Sequence, residues 1–343
     1  KSSVVLTPSD PVFGDEFGRS LSIHGDAIAV GARMYHESSE FGDSILIGCV
    51  YVFVRQSDGS WLEEARLLSD DPDSSDVFFA SAVALHESTL VVGEPRNSRL
   101  PAGEQTGTIH IFERVGEADW VQRAKLRPED GSAGDNFGSS VDIYENVAVV
   151  GARRHDANGR DSGAAYVFTK LDDGTWSQDS KLLPGDGAAS DSFGRSVAIS
   201  LDVVVIGASG DDDNGSSSGS AYVFTFVDNN GQWTEGAKLL AEDGKPSDGF
   251  GKAVDADGDV IVIGADGADD DQQPDRLANI GAVYVFERIG VSVWAQTSRL
   301  QPPGGDKEDE FGSSVATDNG TVAVGSYSGT PGLYGKVHVV EIC

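Results

Sequence analysis

The sequence predicts an all-β fold: a six-bladed β-propeller with four antiparallel strands per blade, closed by an N-terminal strand that completes the last blade. Three observations predict it. The acids comprise 38 Asp and only 18 Glu, beside 43 Gly and one Met. Asp and Gly favour turns and weaken helices, so this composition calls for short strands joined by many turns. A Phe-Gly motif recurs along the 343 residues at a period of about 56 to 62. The last repeat stops one strand short, and the N-terminus carries a segment that fits the gap.

Each repeat reads as four elements. The first opens with Phe17-Gly18, Phe79-Ala80, Phe137-Gly138, Phe193-Gly194, Phe250-Gly251 or Phe311-Gly312. The second is a Val/Ala run that ends, thirteen residues after each Phe, in Val30-Gly31, Val92-Gly93, Val150-Gly151, Ile206-Gly207, Ile263-Gly264 or Val324-Gly325. The third follows Gly48, Gly107, Gly163, Gly219, Gly281 or Gly335 and carries Tyr51, His110, Tyr166, Tyr222, Tyr284 or His338. The fourth starts at Trp61, Trp120, Trp176, Trp233 or Trp294, which are all the Trp of the chain, and reaches Arg or Lys five residues later, then Leu. Short β-branched and aromatic runs punctuated by Gly, Asp and Asn are strand signals. Four strands per radial repeat make a propeller blade.

The sixth repeat has no Trp strand. Leu6 precedes Phe17 by eleven residues, as Leu126 precedes Phe137 and Leu182 precedes Phe193. Residues 1–6 are therefore expected to form the fourth strand of the last blade, which removes exposed sheet edges. The chain reads as one domain over residues 1–343. Within it, residues 1–10 complete blade 6, and the blades are 11–70, 71–129, 130–185, 186–242, 243–303 and 304–343.

These Phe-Gly-x-Ser-Val, Val-Gly-Ala, Gly-x-Ala-Tyr-Val-Phe and Trp…Lys-Leu sets resemble the FG-GAP repeats of the integrin α-subunit propeller, and more closely the short FG-GAP type of secreted and surface proteins. The resemblance spans essentially the whole chain. It implies a secreted or cell-surface protein that binds or adheres to other molecules. Calcium-binding blades of the integrin type carry a long Asp-x-Asp-x-Asp-Gly loop between the first two strands. Here that connection is a tight turn such as His24-Gly25-Asp26. The nearest match, Asp255-Ala256-Asp257-Gly258-Asp259, reads more simply as a hairpin turn. The integrin calcium sites are therefore not carried over.

The net charge of −31 argues against nucleic acid and anionic membrane surfaces as partners, because both need a basic patch. No apolar run approaches the roughly 18 residues of a membrane span. Two cysteines do not make a disulfide framework. Cys49 begins a third strand and Cys343 lies past the end of an equivalent one, so no bridge between them is expected. Asn214 and Asn319 stand in N-x-S/T sequons, candidate glycosylation sites in a secreted protein.

Most of the Asp falls in two loop sets that share one end of the blades, which predicts a strongly negative face. The connections from fourth to first strand carry pairs five residues apart: Asp10/Asp15, Asp71/Asp76, Asp130/Asp135, Asp186/Asp191 and Asp243/Asp248. Their recurrence favours turn-forming carboxylates that accept backbone N–H groups. The connections from second to third strand hold the candidate calcium ligands Asp211, Asp213, Asn214, Asp266, Asp269 and Asp271, since calcium takes six to eight oxygens from flexible loops. Calcium is the one candidate cofactor. A third reading of the acidity is adaptation to a saline habitat. Arg153, Arg154 and His155 are basic exceptions among these loops and candidate contacts to a ligand carboxylate or sulfate. The strand-three Tyr and His and the five Trp read as packing residues.

No Ser-His-Asp, Cys-His or His-rich metal constellation stands out. The leading reading is a non-catalytic extracellular binding or adhesion module whose Asp-rich loops meet a protein or glycan ligand, with or without calcium. The alternatives are a polysaccharide lyase or glycoside hydrolase on a propeller scaffold, which needs two suitably spaced carboxylates, and an architectural module of a larger surface assembly.

Overall fold

The computed structural model describes residues 4–38, 44–69, 78–95, 106–227, 231–269, 279–302, 309–327 and 335–342. All regular structure among them is strand. No helix is long and apolar enough to cross a membrane among these residues. The chain divides into two compact units, one of Lys1–Val150 with Phe168–Asp179, the other of Gly151–Val167 with Ser180–Cys343.

In the first unit, blade 1 holds β1 (Phe17–His24) and β2 (Ala27–Ala32), then a small hairpin of β3 (His36–Ser38) and β4 (Ser44–Leu46), then β5 (Cys49–Arg55) and β6 (Trp61–Leu67). The sheet order is β1-β2-β5-β6. The β3–β4 hairpin was not expected from the repeat. Blade 2 is β7 (Ala82–His86), β8 (Thr89–Glu94), β9 (Thr108–Gly116) and β10 (Asp119–Leu126). Blade 3, through which the unit boundary runs, is β11 (Phe137–Tyr144), β12 (Val147–Ala152), β13 (Ala164–Lys170) and β14 (Trp176–Leu182).

The second unit holds blade 4, of β15 (Ser196–Ser200), β16 (Val203–Ala208), β17 (Ser220–Val227) and β18 (Gln232–Leu239). Blade 5 is β19 (Ala253–Asp257), β20 (Val260–Ala265), β21 (Ala282–Gly290) and β22 (Val293–Leu300). Blade 6 is β23 (Ser314–Asp318), β24 (Thr321–Ser326) and β25 (Lys336–Glu341). Each sheet is an antiparallel meander, and six such sheets are the blades of a β-propeller fold.

Among the described residues the sixth sheet has three strands rather than the four expected. Residues 4–6 carry no strand pairing, and residues 1–3 lie outside the described residues. Leu6 packs against the buried cluster of blade 1 that includes Val30, Tyr35, Tyr51 and Phe53. Cys49 is a free, buried thiol, while Cys343 lies outside the described residues.

The repeated glycines mark the joint between successive blades. Gly107, Gly163, Gly219 and Gly281 form parallel bridges to Phe137, Phe193, Phe250 and Phe311 of the following blade. A Cβ on Gly163 would lie 2.0 Å from the Phe193 carbonyl oxygen, so only glycine permits this approach. Around the joint, Val223 and Leu239 of blade 4 share a core with Phe250 and Val254 of blade 5.

The outer strand pair is irregular at one recurrent place. Registers shift between Val52/Phe53 in blade 1, Gln122/Ala124 in blade 2, Val223/Phe224 in blade 4 and Val285/Phe286 in blade 5. The extra residue, three after each Trp, is Glu64, Arg123, Gly236 or Thr297. Such a bulge increases twist and re-aims a side chain. Glu64 uses it to reach Arg114 and the Trp120 indole N–H, 3.0 Å away, on the next blade.

Candidate functional site

The third-strand Tyr is set by its neighbours on both sides. Its ring lies edge-on to the Phe of its own Phe-Gly motif, with centroids 5.5 Å apart for Phe17 and Tyr51, 5.4 Å for Phe193 and Tyr222, and 5.3 Å for Phe250 and Tyr284. Directly across the ladder stands the cation of the fourth strand: Tyr51 faces Arg66, Tyr222 faces Lys238 and Tyr284 faces Arg299. The buried ring therefore carries its hydroxyl outward, beside a cation, to the loop end of the blade.

There the first Asp of the loop pair closes a clamp in blades 1, 4 and 5. In blade 4 the Tyr222 hydroxyl is 2.8 Å from Asp186 Oδ1 and 3.1 Å from Asp211 Oδ2. Lys238 Nζ lies 2.8 Å from Asp186, 2.9 Å from Asp211 and 2.7 Å from Asp213. In blade 5 Tyr284 donates to Asp243 over 3.0 Å, and Arg299 Nε is 3.0 Å from the same carboxylate. In blade 1 Tyr51 and Tyr35 donate to Asp10 over 2.7 and 3.0 Å, and Arg66 pairs with it.

The electrostatics follow. Burial works against the charge on Asp186, but the hydrogen bonds from Lys238 and Tyr222 and the Lys238 charge outweigh it and hold the carboxyl below its ordinary value. Burial opposes the charge on Lys238 too, yet its bonds to Asp186, Asp213 and Asp211 raise its pKa. Asp10 is likewise lowered, burial being outweighed by Tyr51, Tyr35 and Arg66. Burial and the bond to Asp10 push the Tyr35 hydroxyl up to about 12.

The residue three places after the Val-Gly-Ala alanine differs between blades: Tyr35, His155, Asp211 and Ala268. In blade 3 His155 Nε2 is 3.1 Å from Lys181 Nζ, which lies 5.6 Å from the centre of the Tyr166 ring. Blade 2 uses another solution. His110 replaces the Tyr and Glu94 the alanine, and they meet at 2.8 Å with both side chains fully buried.

In blades 3, 4 and 5 the second Asp of the pair acts inside its turn, as the repeated spacing predicted. Asp135 accepts the Ser132 N–H at 2.7 Å, Asp191 that of Ala188 at 2.6 Å, and Asp248 that of Lys245 at 2.8 Å. Burial raises the pKa of Asp191 and Asp248 against those bonds.

The candidate calcium ligands fall into separate settings. Asp211 and Asp213 are drawn together, but around the Lys238 ammonium. Asn214 donates its side-chain N–H to the Ala241 carbonyl at 3.2 Å, as Asn158 does to Pro184 at 3.4 Å, and so straps one loop to the next. Asp266 pairs with Lys252 at 2.9 Å. Asp269 accepts the Asn279 N–H at 2.9 Å. Asp271 lies outside the described residues, with Asp270 and Asp275. Among the described residues no group of three or more His, Cys, Asp or Glu is disposed to hold a metal ion.

Of the basic candidates, Arg154 is exposed and its Nε lies 3.9 Å from Asp161, while Arg153 beside it is half-buried. The sequon residue Asn319 sits in the turn between β23 and β24, where its backbone N–H donates to Asp257 at 2.7 Å. The clamp cations Arg66, Lys238 and Arg299 were visible in the sequence as a basic residue five after each Trp. Their role was missed, because spacing alone does not show that the partner carboxylate comes from a loop about 50 residues away.

A family model described as FG-GAP repeat matches residues 2–53, 61–112, 120–168, 176–224, 233–286 and 294–340. Five of the six spans begin at or within a residue of a Trp strand start, and the first begins at residue 2, in step with the N-terminal segment. No curated protein matches the chain.

Proposed function

The chain belongs to the FG-GAP repeat family, and from that premise we propose that it is a non-catalytic binding module, secreted or held at a cell surface, that meets a protein or glycan through the loop ends of its blades. One observation carries this reading. The clamp holds the loops in a repeated frame, while the exposed side chains beside it differ from blade to blade, Arg154 in blade 3 against Asp212 and Asp213 in blade 4. A rigid scaffold with varied loop side chains is what selective recognition requires. The exposed side chains around it, Arg154, Asp212 and Asp213, are charged, so the proposed ligand has complementary charge.

Calcium belongs to this proposal in a restricted form. At Asp211 and Asp213 the ion has to displace the Lys238 ammonium, so binding there is weak or needs a ligand that draws Lys238 away. Probing the intact chain against glycan and surface-protein arrays, with calcium and with chelator, tests the reading. Binding that falls at least tenfold in an Arg154→Ala/Asp212→Asn/Asp213→Asn variant supports it. Binding untouched by that variant, or none on either array, overturns it.

A further inference from the structure

Four Asn-Gly pairs occur in the chain: Asn158-Gly159, Asn214-Gly215, Asn230-Gly231 and Asn319-Gly320. Asn is a thermolabile side chain. Its loss is easiest before Gly, which has no Cβ to hinder attack by its own nitrogen on the Asn side-chain carbonyl. The attack needs that Gly N–H free and a turn that can open locally. Asn230 lies outside the described residues. The other three pairs all belong to the second compact unit, and their settings differ.

In blades 3 and 4 the pair is held at every reacting atom. The Gly159 N–H donates to the Asp156 carbonyl at 3.4 Å, and the Gly215 N–H to that of Asp212 at 2.9 Å. Asn158 and Asn214 donate their backbone N–H to Ser162 and Ser218 Oγ, at 3.0 and 3.1 Å. Their side-chain amides are the straps to Pro184 and Ala241. A Cβ on Gly159 would lie 3.1 Å from that of Ala189, and one on Gly215 would lie 2.6 Å from Pro246 Cγ, so both glycines are packed as well as bonded.

Asn319-Gly320 is different. It is the two-residue turn between Asp318 and Thr321, which pair across the hairpin. Both φ angles are positive, +46° and +76°, as in the type I′ turn that Asn-Gly favours. Among the described residues the Gly320 N–H has no acceptor, while the Gly320 carbonyl takes the Ile342 N–H at 2.8 Å. A Cβ on Gly320 would meet only that Ile342 carbonyl oxygen, at 3.2 Å. The Asn319 side-chain amide reaches no further than its neighbour Asp318, at 3.0 Å. We propose that Asn319 is a site of spontaneous deamidation in the folded chain, and that Asn158 and Asn214 are protected by their loops. The Gly320 nitrogen bonds to Asn319 Cγ, the Cγ–Nδ2 bond breaks, and Nδ2 leaves as ammonia with the Gly320 amide proton. Water then opens the cyclic imide at either carbonyl, to an aspartyl or an isoaspartyl residue. Either product places a new carboxylate beside Asp257 and Asp318 and removes the sequon. The isoaspartyl form also lengthens the turn by one backbone carbon, against a register that the turn fixes.

Peptide mass analysis of the full chain, made in a host that adds no N-glycan and kept folded in mildly alkaline buffer, tests this. Asn319 is expected to deamidate at least tenfold faster than Asn158 and Asn214. In urea the loops are lost and the three pairs share one dipeptide, so their rates are expected to fall within about threefold of one another. Two results overturn the proposal. A folded chain in which Asn319 reacts no faster than Asn158 and Asn214 shows that its turn protects it equally. The same tenfold ranking kept in urea shows that neighbouring residues, not the fold, set the order.

Discussion

The carbonyl oxygen of Gly251 lies 2.0 Å from the point where a Cβ on Gly207 would sit. Gly251 belongs to the Phe-Gly motif of blade 5 and Gly207 to the Val-Gly-Ala motif of blade 4. Ser196 completes the contact by donating to the same carbonyl at 2.9 Å. The two halves of the repeat signature are therefore two sides of one contact between neighbouring blades.

Gly207→Ala forces backbone apart and is expected to destabilise by about 1–3 kcal/mol or more. Gly116→Ala meets only the Asp119 Cβ, at 3.8 Å, and is expected to cost clearly less. Urea unfolding of the two variants checks the difference, and equal losses contradict the joint.

Lys238→Met leaves Asp186, Asp211 and Asp213 without their common cation. A loss of about 1–3 kcal/mol at neutral pH is expected, part of it screened because Asp186 and Asp213 are half exposed. The variant is also expected to gain more from millimolar calcium than wild type, about 2.7 kcal/mol at a hundredfold excess over Kd. Melting with calcium or chelator measures it. If calcium moves neither protein, the cation reading of this loop fails.

The Asp186 carboxyl is held below its ordinary value of 3.8 in the folded chain. Its stabilisation is present above the unfolded pKa and is lost as pH falls through the lower folded one. Between pH 6 and 2, Asp186→Asn is expected to show a shallower fall in Tm than wild type on the acid side. Asp191, raised by burial, has the opposite sign: its ionisation opposes folding as pH rises from its unfolded to its folded pKa. Asp191→Asn is expected to steepen the net acid loss that remains.

Glu94 and His110 form a fully buried pair. Glu94→Ala leaves His110 without that acceptor and is expected to cost about 1–3 kcal/mol. Glu94→Ala with His110→Tyr recreates the Ala and Tyr found in blades 3, 4 and 5. The double variant is expected to be more stable than the sum of the single losses by at least about 1 kcal/mol. Additive losses in urea unfolding argue that the pair is not coupled.

Burial pushes the Cys49 thiol up to about 12, so little thiolate exists at pH 8. A thiol reagent is expected to modify this residue only after unfolding. Rapid labelling of Cys49 in the native chain, located by peptide mass, contradicts the packing around it.

Much of the fold was legible because its determinants are local and periodic. Phe250 and Gly264 keep their spacing in every blade, since the pair spans one hairpin of the sheet. The turn role of Asp191 and Asp248 was legible for the same reason. The candidate calcium ligands were not. Asp211 and Asp213 look like ion ligands as a run of acids, but Lys238 reaches them through a strand register and a loop return that no local spacing encodes.

The sequence by itself determined the all-β class and the six repeats, because strand and turn residues recur at each period. Only the tertiary structure decided which carboxylate meets which cation. Asp186 and Lys238 are 52 residues apart, and an ion pair depends on distance in space rather than along the chain.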